Sequence, residues 1–386
     1  MQLPNKISRN FVGQSKSIDP VLEKSIPSKY KKLFLPSLMG FSLLLSACGS
    51  TSSASSTSTT SKNISTASLA KASSSTPLVI YAAEGYDKAE GAAFQKATGI
   101  KTEVVDRSTG PLLAKIQAEK NNPQWGLLWV DGAEAFAALD TQHMLVRGFE
   151  PQGSLNKLGQ VVVPKDKSYV PTGLTVAGAV VYNVKTLPTP PTNWNQLLTP
   201  SYKGAVGMNN PAVSGPTYPF VAGMMKYQGG EKKGKTYFEK LKANGLQIFR
   251  TNKVTLHALE SGQLKVAIVQ NSAGLGASFK DPNLKVAYPS KVTVLPSVIG
   301  IDAHASKIQQ AEAERFAQFV YSTQGQKVML SGDPHGDSLF YPIRKGISPH
   351  KVLPSLASVP TQATNPYKWG PRESSIDNWF SNNIVQ

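Results

Sequence analysis

From Leu78 onward the chain alternates short apolar runs with amphipathic stretches. "LVIYA" (78–82) and "GLLWV" (126–130) are unbroken apolar runs, and "IKTEVVD" (100–106) alternates apolar with polar; all three predict strands. "YDKAEGAAFQKATG" (86–99) predicts a helix ending at Gly99, where glycine supplies a left-handed C-cap. Residues 109–120 and 132–140 predict two further helices. Strand and helix in this alternation imply parallel βαβ units.

The second half repeats the alternation with one difference. "PTGLTVAGAVVYN" (171–183) is a long β-branched run without helical period, which predicts a strand crossing between two lobes. "KGAVGMNN", "LKVAIVQN" and "TVLPSVIGID" predict strands, and "TYPFVAGMMKYQGG" and "VTLHALESGQ" predict helices. "IQQAEAERFAQFVYSTQGQKVML" (308–330) is the longest helical pattern. Two α/β sets, with the chain returning to the first, predict two lobes joined by a hinge. In open α/β sheets ligands sit beyond the strand C-termini, so two such lobes face each other across a cleft.

Upstream the pattern changes. Basic Lys29, Lys31 and Lys32 precede an apolar run from Leu33 to Ala47 that falls short of the roughly 20 residues a membrane span needs. That layout predicts a signal peptide. Leu45-Ser46-Ala47-Cys48 resembles a bacterial lipobox, which implies lipidation of Cys48 and cleavage just before it. Residues 49–76 are almost all Ser, Thr and Ala; such a segment has too little apolar surface to offset its ordering entropy and reads as a tether. The expected organisation is a leader and signal peptide (1–47), lipidated Cys48 with its tether (48–76), lobe 1 (77–175), lobe 2 (176–290), a return to lobe 1 (291–340) and a C-terminal segment on lobe 2 (341–386). The expected location is outside the cytoplasm, anchored to the membrane by lipid alone.

Composition narrows the function classes. The net charge is +17, of which the seven Lys/Arg and two Asp/Glu of residues 1–47 contribute +5, so the remainder stays near +12. The basic residues are scattered without an aromatic-interleaved stripe, which favours a solvated surface over nucleic-acid binding. Cys48 is the sole cysteine, so no intramolecular disulfide forms and no zinc or iron–sulfur spacing exists. The chain carries no P-loop, GxSxG, HExxH or GxGxxG motif, so neither a cofactor nor catalysis is expected. Ser108, Thr109, Gly110 and Pro111 head the helix predicted at 109–120. Small hydroxyl residues cap helices, and Pro is tolerated in a first turn. The same N-terminus presents free N–H groups and positive dipole charge that can hold an anion.

Five pieces, in order over residues 78 to about 345, carry a resemblance: "LVIYAAEGYDKAEGAAFQKATGIKTEVV", "STGPLLAKIQAEKNNPQWGLLWVDG", "NWNQLLTPSYKGAVGM", "ALESGQLKVAIVQN" and "AERFAQFVYSTQGQKVM". The chain is similar to the extracellular solute-binding proteins of bacterial ABC importers, in their ferric-iron, phosphonate and sugar-phosphate cluster. The resemblance implies an α/β, two-lobed type II periplasmic-binding-protein fold, each lobe a mostly parallel sheet flanked by helices. It implies a monomer without catalytic activity that closes on a small anionic solute and hands it to an ABC permease and its ATPase.

It also implies binding residues. "NNPAVSGPTY" supplies Ser214, Gly215 and Thr217 as an anion site at a lobe 2 helix, and Asn252, Gln270 and Asn271 fall at matching positions. Ser108, Thr109 and Gly110 face them from lobe 1. Glu84 and Asp131 fall in first-lobe loops, where two carboxylates beside an anion site suit a zwitterion that also carries an amine. Ferric binders place two tyrosines after the strand "VAIV"; here Ser272 and Ala273 stand there, so direct iron binding lacks its main ligands. Two alternatives remain open at this stage: ferric iron with a synergistic anion, and a ligand-sensing subunit of a membrane signalling system.

Overall fold

The computed structural model describes residues 75–153 and 155–386. Cys48, the apolar run before it and nearly all of the Ser/Thr/Ala segment lie outside the described residues. Twelve strands are described: β1 (Leu78–Ala82), β2 (Thr102–Asp106), β3 (Leu127–Asp131), β4 (Val170–Ala177), β5 (Ala179–Asn183), β6 (Val206–Asn209), β7 (Gln247–Phe249), β8 (Val266–Val269), β9 (Leu284–Ala287), β10 (Val292–Ile301), β11 (Tyr341–Pro342) and β12 (Thr361–Gln362). Helices of eight or more residues are α1 (Asp87–Thr98), α2 (Thr109–Ala118), α3 (Ala133–Thr141), α4 (Thr217–Tyr227), α5 (Glu231–Ala243), α6 (Asn252–Glu260), α7 (Asn271–Lys280), α8 (Lys307–Val320), α9 (Thr323–Gly332) and α10 (Glu373–Phe380).

The strands form two sheets. The first runs β2-β1-β3-β10-β4-β11, with β12 also paired to β10; the second runs β7-β6-β8-β5-β9. Both are mixed rather than mostly parallel. The βαβ units at β2-β1-β3 and β7-β6-β8 are parallel, as their helical crossovers require. The crossing strands run against them: β10 is antiparallel to β3 and β4, and β5 to β8 and β9. A strand that carries the chain back between lobes enters the sheet from the opposite end, and the expectation of mostly parallel sheets overlooked this.

Alternation sorts each central strand onto two cores. Leu78, Ile80, Leu127 and Trp129 pack with Phe94, Phe316 and Met329 on one face of the first sheet. Tyr81, Leu128 and Val130 pack with Leu112, Ile116 and Phe136 on the other. Both faces are covered, so these strands read as continuous apolar runs instead of alternating ones. The second sheet divides likewise, with Val266 and Ile268 facing one core and Ala267 and Val269 the other.

Two elements differ from the pattern-based expectation. The run 171–183 is not one strand: Gly178, at φ +85°, breaks it into β4 in the first sheet and β5 in the second. The long helical pattern at 308–330 divides into α8 and α9, because the Ser322 side chain accepts from the Gly325 N–H and starts a new helix. The C-terminal segment touches both lobes. Its Tyr367 hydroxyl donates to Asp140 of α3 at 3.0 Å, while Lys226 of α4 donates to the Ala363 carbonyl at 2.6 Å and Arg372 meets Glu231 of α5 at 3.1 Å.

Candidate functional site

Four helix N-termini border one cavity of about 180 Å³ between the two sheets. Ser108 and Thr109 introduce α2, Ser214 to Pro216 lead into α4, Thr251 to Lys253 begin α6, and Gln270 precedes α7; all line the cavity, with Asp131 and Asp337 opposite. None of these four helices receives a side-chain cap, whereas Ser306 and Ser322 cap α8 and α9. Ser108 therefore does not cap its helix as the sequence pattern suggested, although it occupies the N-cap position. Uncapped N-termini turn positive dipole ends toward the cavity, the environment that anions prefer. In α2 and α4 the Gly110 and Thr217 N–H groups are taken by the Val213 and Ser214 carbonyls, so free first-turn donors come chiefly from α6 and α7.

The lobe 2 wall is held rigid from behind. The Asn209 amide donates to Ser214 Oγ at 3.1 Å and to Asn252 Oδ1 at 2.6 Å, and the Thr255 hydroxyl donates to Asn209 Oδ1 at 2.5 Å. Asn209 is 1% exposed, so one buried amide fixes two of the candidate ligand residues. Its role was not legible from the sequence, because it depends on β6 and α6 lying side by side.

The other wall is acidic. Asp131 ends β3, and Glu84 sits in the loop after β1; both are buried. The Glu84 carboxylate accepts from Ser297 Oγ at 2.7 Å, and Ser297 Oγ in turn accepts from the Trp129 indole N–H at 3.0 Å. Glu84 is thus fixed by β10, a strand that crosses between the lobes. Asp337, from the loop after α9, accepts the Gly85 N–H at 2.8 Å and lies 3.5 Å from the Ser272 hydroxyl of α7. Sequence reasoning missed Asp337, which lies more than two hundred residues from Glu84, and it missed Lys253 as a lining residue.

Three neighbouring carboxylates without a cation resist ionisation. Burial pushes Glu84 well up, and the charges of Asp131 and Asp337 add to it; hydrogen bonds from Ser297 and Tyr86 pull the other way. Burial and then Asp337 raise Asp131, with a hydrogen bond from Gln270 opposing. Burial raises Asp337 to about 6. A bound ammonium would reverse this balance and stabilise all three as carboxylates. Among the described residues no three His, Cys, Asp or Glu side chains are arranged to hold a metal ion.

The remaining candidates take different positions. The Gly110 N–H donates across the cleft to the Val213 carbonyl at 3.3 Å, and a Cβ on Gly110 would fall 2.0 Å from the Ala212 oxygen. A Cβ on Gly215 would fall 2.2 Å from Thr109 Oγ1. Both glycines permit the lobes to meet. Thr217 is buried in the first turn of α4 and does not line the cavity. Asn271 is fully buried, and its Oδ1 accepts the Val176 N–H at 2.8 Å, tying α7 to β4. Glu84 approaches the cavity without lining it.

Comparison with known proteins was informative at two levels. The family model of bacterial extracellular solute-binding proteins matches residues 91–361. A periplasmic protein of Salmonella typhimurium, named provisionally for 2-aminoethylphosphonate binding, is 24% identical over 243 residues, which are 61% of this chain and 68% of the relative. Iron-bound HitA from Pseudomonas aeruginosa shares the fold with a TM-score of 0.67 at 22% identity, covering 80% of this chain and 99% of HitA. AfuA from Actinobacillus pleuropneumoniae, solved with fructose-6-phosphate, gives a TM-score of 0.69 at 21% identity, covering 81% of this chain and 99% of AfuA.

Proposed function

The chain belongs to the bacterial extracellular solute-binding proteins, and on that premise we propose that it captures a small zwitterion bearing a phosphonate or phosphate group and an ammonium, then delivers it to an ABC permease. One observation carries the reading: a single cavity sets uncapped helix N-termini, Ser108, Thr109, Ser214, Asn252 and Lys253 against Asp131 and Asp337. The first group suits a tetrahedral oxyanion. The second, with Glu84 behind it, has three acidic side chains and no cation of its own. An ammonium held about two carbons from a phosphonate satisfies both walls at once. The name of the Salmonella relative points to the same class of compound.

The ligand's two ends have separate duties. Hydroxyls and backbone N–H groups make charge-assisted hydrogen bonds to the oxyanion, each stronger than a neutral one. The carboxylates select for the amine, because a ligand lacking it leaves them buried and unpaired. The site residues change the ligand's surroundings and not its bonds, so the protein acts as a carrier. We assign it a place outside the cytoplasm, as an exported lipoprotein facing the periplasm or cell exterior and anchored through Cys48 by the motif at 45–48.

Titration calorimetry tests the reading with 2-aminoethylphosphonate, ethylphosphonate and ethylamine. Binding is expected to be tightest for the zwitterion by at least about tenfold over either half. Equal affinity for ethylphosphonate and the aminophosphonate would remove the amine from the proposal. The anchor is tested separately: Cys48→Ser should move the protein from the membrane to the soluble fraction. Unaltered membrane retention would rule out lipidation.

A further inference from the structure

A second cavity, of about 400 Å³, lies beside the crossing strands and shares no lining residue with the cleft. Its walls include Val161, Val294, Pro296, Tyr169 and Tyr367, with two carboxylates, Glu134 and the Arg147-paired Asp166, among them. The volume falls within the range of small-molecule sites. Val161, on the wall, is 81% exposed, so apolar surface is left open to solvent there.

Glu134 is the informative residue. It is 2% exposed, and the Thr364 hydroxyl donates to one of its oxygens. Among the described residues it has no ion pair with any Lys, Arg or His; Lys165, exposed at the same cavity, does not reach it. A buried carboxylate without a cationic partner is costly, and an occupant that brings a cation offsets that cost. Burial holds the Glu134 carboxyl above its usual range, with the Thr364 hydrogen bond opposing, and an ammonium beside it would favour the charged form. The Tyr169 ring, tilted 48° to Phe136 at 5.8 Å between centroids, and the Tyr367 ring add aromatic surface that attracts an ammonium.

We propose that this cavity is a second ligand site, which takes a small primary amine with an apolar or aromatic body and places its ammonium against Glu134. The body fills the space between Val294, Pro296 and the two tyrosines. Such an occupant touches α3 of the first lobe, the crossing strand β10 and the C-terminal segment together. The proposal is independent of which solute the cleft binds.

Benzylamine is a suitable probe, with benzyl alcohol as its uncharged counterpart, each titrated into the full folded protein by calorimetry at neutral pH. One molecule of benzylamine should bind with a dissociation constant of roughly 0.1–1 mM, and benzyl alcohol at least about tenfold more weakly. Glu134→Gln, which keeps an acceptor for Thr364, should weaken benzylamine by about tenfold or more. Val161→Lys, at an exposed position that cannot disturb the core, should weaken it several-fold through like charge. Asp131→Asn, in the cleft, should leave it unchanged. Absence of binding, binding insensitive to both Glu134→Gln and Val161→Lys, or binding lost in Asp131→Asn would overturn the proposal.

Discussion

At the scale of single residues, the acidic wall makes two outcomes distinguishable. Asp131 lines the cavity at the end of a buried strand, and among the described residues no positive side chain forms an ion pair with it. Asp131→Asn should weaken a zwitterionic phosphonate by about 10- to 150-fold, the worth of one charge-assisted contact of roughly 1.5–3 kcal/mol. The same variant should leave ethylphosphonate binding unchanged or improved, since a repelling charge has gone. Calorimetry on both ligands reads the difference. Asp337 adds a pH dependence. Its folded value, about 6, lies above its ordinary value of 3.8, so the folded chain keeps a proton that the unfolded chain has released. Its contribution to stability is therefore present at pH 4 and lost as pH rises through about 6. Melting curves of the ligand-free protein should show Asp337→Asn gaining on the parent between about pH 4 and pH 6.5, with the gain shrinking when an ammonium ligand is bound. A constant difference across that range would mean that Asp337 titrates normally.

At the scale of elements, what matters is how closely helices of one lobe approach backbone of the other. A Cβ on Gly276 of α7 would fall 1.8 Å from the His335 carbonyl oxygen, just as one on Gly110 of α2 would crowd Ala212. Backbone atoms cannot swing aside as side-chain tips do, so an added methyl must separate the lobes. Gly110→Ala and Gly276→Ala should each cut affinity by tenfold or more, on the order of 1.4 kcal/mol, although neither glycine lines the cavity. Because each change affects lobe contact and not a lobe core, the melting temperature without ligand should move little. A variant that bound normally would show that these contacts are not needed for capture. The sequence displayed most of the elements themselves. Residues 78–82 and 127–131 are visible as strands because both faces of the first sheet are covered. Helix α7 was invisible as an element: its two glycines and small residues give it little apolar stripe, and it holds its place through Asn271 and contacts on β4 and β5.

For the whole molecule, the chain crosses between the sheets at Gly178 and again ahead of β10, and these crossings allow the lobes to turn about them. Small-angle scattering should give a smaller radius of gyration with saturating ligand than without it, and ligand should raise the melting temperature by mass action. Equal radii would mean that the lobes stay together throughout. The C-terminal segment bears on this motion, since Tyr367 reaches Asp140 of one lobe while Tyr218 of the other donates to the Trp369 carbonyl at 2.6 Å. The segment was expected on lobe 2, and no periodicity in its own residues could reveal the attachment to lobe 1.

The sequence by itself determined the alternation of strands and helices and the two-lobed α/β class, because apolar period and turn chemistry are local properties that survive in one dimension; the family came from the resemblance of five sequence pieces in order. Ser108, Thr109 and Asp131 stand at a helix start or strand end, where α/β sheets open their sites, and the resemblance added Ser214 and Asn252; all five line one cavity. Only the tertiary structure decided that Asp337 stands with Glu84 and Asp131, that Ser297 and Asn209 hold the walls, and that Gly110 serves lobe contact. These are pairings between residues up to 252 positions apart, set by the order of strands in the sheets. No local pattern encodes such an encounter; it follows from burying every strand on both faces at once.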